Sequence, residues 1–175
     1  MKIEAVTAHT LNFVNKIDST FIVDSKLNVK LSNNTFTYEI EIITQYDKSY
    51  VYDDIDYSVY LVNKDKTIFF AFENEGFAGQ IILLKYWNQY AYINDIRVSK
   101  KFRGKGIGKA LMQRAIEWAR ESDCIGLEVE TQDVNVKACL FYKKLGFELG
   151  GFDMFRYRSS PKEKDEIALN WYLLF

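Results

Sequence analysis

The chain has 175 residues, with 23 Lys and Arg against 24 Asp and Glu and a net charge of −1 at neutral pH. That length suits a single domain spanning residues 1–175, with a core that needs neither disulfides nor metal. The balanced charge gives no electrostatic case for nucleic acid or an anionic membrane as partner. Cys124 and Cys139 are too few and too far apart for a metal site and read as small core residues in a reducing compartment. Residues 1–10 lack the apolar core of a signal peptide, and no apolar run is long enough to span a bilayer, so a cytoplasmic protein is expected. His9 is the only histidine, and nothing marks it for a Ser-His-Asp or Cys-His triad.

In chain order, a short strand is expected at 3–6 and a helix at 11–17, followed by a strand at 36–43 where aromatic, branched and polar residues alternate. Segment 46–60 interleaves Asp47, Asp53, Asp54 and Asp56 with tyrosines, which reads as a solvated loop or edge, or as an acidic, aromatic rim for a cation. Residues 59–62, 67–73 and 77–84 have β character, and Asn74, Glu75 and Gly76 supply a hairpin turn. A strand at 90–98 completes an antiparallel meander. In 108–121 the apolar residues Leu111, Met112, Ala115, Trp118 and Ala119 recur at helical spacing, opposite Lys109, Gln113, Arg114, Glu117 and Arg120. Residues 125–131 read as a buried strand which, coming after a crossover helix, should run parallel to 90–98. A helix at 135–145 ends at Gly146 in a left-handed C-cap, and 147–157 and 167–175 close the chain as a strand pair. Trp87, Trp118 and Trp171 read as core or sheet residues. The order of elements is that of an α/β protein.

The segment VSKKFRGKGIGKAL, from Val98 to Leu111, joins the end of an apolar strand to an amphipathic helix through a glycine-rich turn. Arg103, Gly106 and Gly108 stand as R-x-x-G-x-G, a spacing that turns main-chain N–H groups toward a bound anion. It is not a P-loop, since Gly108-Lys109 is followed by Ala110 and no hydroxyl is placed for magnesium. Nor is it a dinucleotide fingerprint: after Gly104 and Gly106, the third glycine, Gly108, comes one residue early. Lys100, Lys101, Arg103, Lys105 and Lys109 surround the turn, either as a solvated face or to meet a nucleotide phosphate.

One strand further on, Asn135 to Phe147 reads N-x-x-A-x-x-F-Y-x-x-x-G-F. Together with R-x-x-G-x-G and the order of elements, this resembles the GCN5-related N-acetyltransferase (GNAT) superfamily over nearly the whole chain. The resemblance implies a central, mostly antiparallel twisted sheet with a parallel, splayed strand pair, flanked by helices, and acetyl-CoA as co-substrate with no metal. It places the pantetheine arm on the backbone of Ile96, Arg97 and Val98, and the pyrophosphate on the N–H groups of Arg103, Gly104, Lys105, Gly106, Ile107, Gly108 and Lys109. It also brings Asn135 to the cofactor arm and Tyr142 to the thioester sulfur, where a phenol can protonate the departing thiolate.

A narrower similarity, in WNQYAYINDIRV, GLEVETQDVN and the terminal NWYLLF, is to the streptothricin acetyltransferases, which acetylate the β-lysine moiety of a cationic antibiotic and so confer resistance. A lysine-type amine has a pKa of about 10.4, so neutralising it at pH 7 costs roughly 4 to 5 kcal/mol and calls for a carboxylate base. Asp95 comes first as that base, because its strand also carries the cofactor contacts; a structural ion pair is the competing role. Asn94, Glu128, Glu130, Asp53 and Asp54 are the candidate acceptor contacts, and a bulge near Asn94 would decide which side chain faces the site. Acetylation of a protein amino terminus or lysine, and acyl-CoA binding without catalysis, are the alternatives. A homodimer is left open.

Overall fold

The computed structural model describes residues 1–50, 55–74 and 76–175, so Asp53, Asp54 and Glu75 lie outside the described residues. The elements run β1 (Lys2–Ala5), β2 (Phe21–Ser32), β3 (Thr35–Lys48), β4 (Lys66–Glu73), β5 (Gly76–Lys85), β6 (Tyr90–Val98), α1 (Ile107–Glu121), β7 (Gly126–Gln132), α2 (Val136–Lys144), β8 (Glu148–Asp153) and β9 (Ala168–Leu174). They fall into two compact units, one of residues 1–19, 50–127 and 175, the other of 20–49 and 128–174.

In the first unit β1, β4, β5 and β6 lie side by side in the order β1-β4-β5-β6, each pair antiparallel. The period-two alternation of β4 decides what each face packs against. Ile68 and Phe70 join Tyr60 and Ile82 in a core, with Phe13, Phe72 and Phe77 packed against it. Phe69, on the opposite face, lies under the Arg114 guanidinium of α1, 4.6 Å from the ring centre. Helix α1 buries Leu111, Met112, Ala115, Trp118 and Ala119, the stripe read from the sequence. It can settle close to β5 because Gly79 has no side chain. A Cβ there would stand 2.9 Å from the Arg97 carbonyl oxygen and 3.0 and 3.1 Å from side-chain carbons of Leu111 and Ile107.

Three expectations fail in this unit. The helix at 11–17 is only a 3₁₀ turn, Leu11–Phe13, because Asn15 takes φ +59° and breaks the ladder. Residues 59–62 are not a strand but lie in a second 3₁₀ turn, Tyr57–Leu61, which Asp56 caps by accepting from the Ser58 N–H at 2.9 Å. Trp87 is 92% exposed, unlike the buried Trp118 and Trp171.

In the second unit β2 and β3 form a two-stranded antiparallel sheet of their own, so residues 36–43 are not part of the meander. Asn33 and Asn34 turn the hairpin with φ +49° and +58°, the left-handed pair that matches the twist of the flanking strands. The other strands of the unit run β7-β9-β8, with β8 and β9 antiparallel as expected. The Trp171 indole N–H of β9 donates to Thr131 Oγ1 of β7 at 3.0 Å, satisfying a buried donor. Helix α2 ends as expected at Gly146, φ +91°, where the Phe147 N–H bonds the Tyr142 carbonyl at 3.1 Å. Cys124 and Cys139 are free and buried, and burial pushes the Cys139 thiol up to about 11.

Among the described residues no helix is long and apolar enough to cross a membrane, and no group of His, Cys, Asp and Glu is arranged to hold a metal ion. The close approach at Gly79 is directly testable. Gly79→Ala should cost about 1 to 3 kcal/mol of stability through overpacking, read as a lower urea midpoint with an unchanged m-value.

Candidate active site

Strand β6 carries a bulge. Ile82 of β5 pairs with Asp95 and Leu83 pairs with Ile93, which leaves Asn94 as the extra, exposed residue. Asp95 is thereby turned into a buried polar network. Its Oδ1 accepts from Arg97 Nε at 2.7 Å and its Oδ2 from Gln80 Nε2 at 2.6 Å. Arg97 continues to Asn15 Oδ1 at 2.9 Å and the Ile17 carbonyl at 3.3 Å. The Asn15 N–H closes the ring on Gln80 Oε1 at 3.0 Å. Burial pushes the Asp95 carboxyl up, against the opposing pull of Arg97 and Gln80. Both of its oxygens are engaged, the arrangement of a structural ion pair.

Beyond Ile96, Arg97 and Val98 the chain turns through Lys100–Phe102 into the glycine loop. Phe102 is buried and anchors the turn, with the Lys101 and Lys105 ammonium groups 4.6 and 5.4 Å from its ring centre. Lys100 pairs with Asp18 at 2.9 Å, and Arg103 Nε donates to the Val98 carbonyl at 3.1 Å. Gly104 and Gly106 adopt φ +77° and +85°, and a Cβ on either would meet nothing within 4 Å. Backbone conformation rather than lack of space therefore demands glycine here. The first backbone bond at the head of α1 runs from the Ala110 N–H to the Gly106 carbonyl at 3.0 Å. No side chain caps this end, and no acidic residue lies in the first turn. The N–H groups of Ile107, Gly108 and Lys109 thus precede the helical ladder at the positive end of the helix dipole, a site chemically suited to an anion.

The remaining sequence candidates lie in the second unit. Asn135 is the N-cap of α2, its Oδ1 accepting from the Ala138 N–H at 3.2 Å. Tyr142 is 3% exposed, with the rings of Phe141 and Phe147 at centroid distances of 5.4 and 5.3 Å. On β7, Glu128 accepts from the Tyr172 hydroxyl at 3.2 Å. Glu130 accepts from the Tyr157 hydroxyl and pairs with Arg156 at 3.4 Å. Burial pushes the Glu130 carboxyl up against both partners. The structure thus gathers Asn94 through Lys109 on one strand and loop of the first unit, and Glu128, Glu130, Asn135 and Tyr142 on β7 and α2 of the second.

Sequence reasoning does not reach a further charged cluster in the second unit. Asp133, immediately after β7, is fully buried beside Lys26 of β2, 3.2 Å from its Oδ2. Lys48 of β3 pairs with Glu166 and lies 3.9 Å from Glu163. The one signal was that Asp133 falls within GLEVETQDVN; Lys26, Lys48, Glu163 and Glu166 sit in stretches without a motif.

Comparison with known proteins gives the family. The model of the acetyltransferase (GNAT) family matches residues 32–147. Streptothricin acetyltransferase A of Bacillus subtilis is 40% identical over 162 residues, 92% of each chain. A streptothricin acetyltransferase of Escherichia coli is 36% identical over 175 residues, covering 98% of this chain and 95% of its own. Among solved structures, a provisionally assigned streptothricin acetyltransferase of Bacillus anthracis in complex with acetyl coenzyme A superposes with a TM-score of 0.92 at 40% identity, over 99% of both chains. With the mixed α/β fold and the uncapped, glycine-led head of α1 already in place, the chain belongs to the GNAT family and is an N-acetyltransferase.

Proposed function

We propose that this protein transfers the acetyl group of acetyl-CoA to the β-lysine amine of streptothricin, by direct attack of the amine on the thioester, and so confers resistance to the antibiotic. The observation that carries the reading is 36 to 40% identity to streptothricin acetyltransferases over nearly the whole chain. The loop supports the co-substrate. A diphosphate needs convergent donors and no competing carboxylate, and the head of α1 offers both. Residues 103–109 would hold the diphosphate, and the backbone of Ile96, Arg97 and Val98 the pantetheine arm. Bound acetyl-CoA supplies the thioester carbonyl that the amine attacks.

In this reading Tyr142 is the acid. Its ring is fixed by packing, which holds the phenol in one place, and a proton delivered there stabilises the departing thiolate. Asn135 reaches the arm from the start of the same helix. Glu130 takes the proton of the acceptor amine rather than Asp95. Burial raises both carboxyls, but Asp95 is held at 2.7 and 2.6 Å by the buried Arg97 and Gln80, whereas the ion partner of Glu130, the exposed Arg156, stands farther off at 3.4 Å. A base must be deprotonated to act, so with a raised pKa its activity is lost as pH falls through that raised value.

Thiol release from acetyl-CoA by the purified protein with streptothricin, and one added acetyl group in the mass spectrum of the antibiotic, are the expected results; no release with intact cofactor binding would send the search to peptides and other amines. In the same assay Tyr142→Phe should lower kcat by about 10²- to 10⁴-fold while leaving the KM for acetyl-CoA nearly unchanged. Equal loss of both would contradict its role. Glu130→Gln should lower kcat within the same range and flatten the acid limb of the pH profile. Asp95→Ala should instead strand a buried guanidinium and cost about 3 to 5 kcal/mol of stability, seen in a denaturant titration.

A further inference from the structure

Asn15 stands in left-handed backbone, φ +59°, where the expected helix gives way, and from there its polar atoms reach three other residues. Its Oδ1 accepts from Arg97 Nη2 at 2.9 Å and from Gln80 Nε2 at 3.2 Å, and its Nδ2 donates to the Tyr57 hydroxyl at 3.0 Å. Its main-chain N–H donates to Gln80 Oε1 at 3.0 Å. Gln80, fully buried on β5, also donates from Nε2 to Asp95 Oδ2 at 2.6 Å. A carboxamide has a donor end and an acceptor end, so these bonds fix which way round each amide sits. A flipped Asn15 would set Nδ2 against the Arg97 guanidinium, donor against donor. A flipped Gln80 would set its oxygen against the Asp95 carboxylate and its nitrogen against the Asn15 N–H. The network therefore admits one arrangement of both amides.

That arrangement bears on the main chain of β6. Asp95 and Arg97 lie two residues apart on one face of the strand, opposite Ile82 and Gln80 of β5. Their ion pair, from Arg97 Nε to Asp95 Oδ1 at 2.7 Å, spans Ile96. A bond between side chains that bracket a residue restricts the φ and ψ of the residue between them. Stability alone is a weak reason for such a network, since apolar side chains of similar volume commonly replace a buried ion pair without loss, and an asparagine in left-handed backbone adds a local cost. Positioning is a stronger one, because misplacing a reacting group by about 1 Å can cost about 10²-fold in rate.

We infer that Asn15 is a positioning residue for acetyl transfer: through Arg97 and Gln80 it holds the Asp95–Arg97 bridge in the arrangement that fixes the main chain of Ile96 for the pantetheine arm. The inference rests on the placing of that arm along Ile96, Arg97 and Val98, and it names what keeps that stretch in register. The donors proposed for the diphosphate, in residues 103–109, lie outside the network. Loss of Asn15 therefore disturbs the thioester end of the cofactor more than the diphosphate end, and turnover more than affinity.

The test uses the full chain as wild type and as Asn15→Gly, Tyr57→Phe and Ile68→Val, at a temperature where every variant is folded. Acetyl-CoA binding is measured by calorimetry, kcat by thiol release with streptothricin, and stability by urea titration. Asn15→Gly keeps the left-handed backbone and removes the side chain, and is expected to lower kcat about 10- to 100-fold with acetyl-CoA binding only about 3- to 10-fold weaker. Tyr57→Phe takes the acceptor from Asn15 Nδ2 and is expected to lower kcat about 3- to 10-fold; it decides alone should Asn15→Gly not fold. Ile68→Val, in the apolar core of the same unit, is expected to lower the urea midpoint and keep kcat within about twofold of wild type. Wild-type kcat and affinity in both Asn15→Gly and Tyr57→Phe, or an equal fall of kcat in Ile68→Val, would overturn the positioning role and leave the proposed reaction standing. A wild-type protein that binds acetyl-CoA and releases no thiol with streptothricin would overturn the proposed acceptor instead; weaker acetyl-CoA binding by Asn15→Gly would then support the inference, and unchanged binding would overturn it.

Discussion

The buried guanidinium of Arg97 is the interaction on which the first unit depends. It ties three stretches together: the turn at Asn15 to Ile17, the bulged part of β6, and, through Asp95 and Gln80, the centre of β5. It stands directly before Val98, the last residue of β6, from which the chain turns toward the loop. A guanidinium in that place must find acceptors for its fixed fork of donors, and it finds a carboxylate, an amide oxygen and a main-chain carbonyl. The bulge at Asn94 belongs to this arrangement, because the extra residue is what sets Asp95 opposite Ile82 and in line with Gln80. The cost of burying the charge is offset by several short bonds in a region of low dielectric, so the network holds only as a whole.

Downstream of that anchor the loop is shaped by two needs that glycine alone meets together. The chain must pass through left-handed backbone twice within three residues, and the head of α1 must stay uncovered. An Asp or Ser N-cap would satisfy the helix from within and close the anion site. Gly106 caps α1 without a side chain, so the donors remain for a ligand, and Gly79 beneath lets the helix approach β5.

The sequence was most legible where local chemistry decides structure. The amphipathic stripe of α1, the R-x-x-G-x-G turn, the helix beginning at Asn135 and the left-handed Gly146 each carry a signal within a few residues, and each stands where it was expected. The errors came where tertiary contacts override a short pattern. Strand β2 was missed because its buried Val23, Ser25 and Leu27 include a serine and are separated by Asp24 and Lys26, so the alternation is masked by charge. The apolar residues at 11–17 looked helical, but Asn15 is drawn into the Arg97 network at positive φ. Asp95 illustrates the limit for the site: its residue type suits a base, and only the spatial neighbours Gln80 and Arg97 reveal the ion pair.

The two units treat their charged and polar groups differently. The first ends in main-chain donors that the helix itself cannot satisfy. The second answers its buried carboxylates from within, with Lys26 3.2 Å from Asp133 Oδ2 and Lys48 paired with Glu166. An acidic cap on α1 would have added stability and removed the free energy that the open donors can give to a bound anion. Those donors are held open by the fold, through left-handed glycines whose conformation does not depend on ligand.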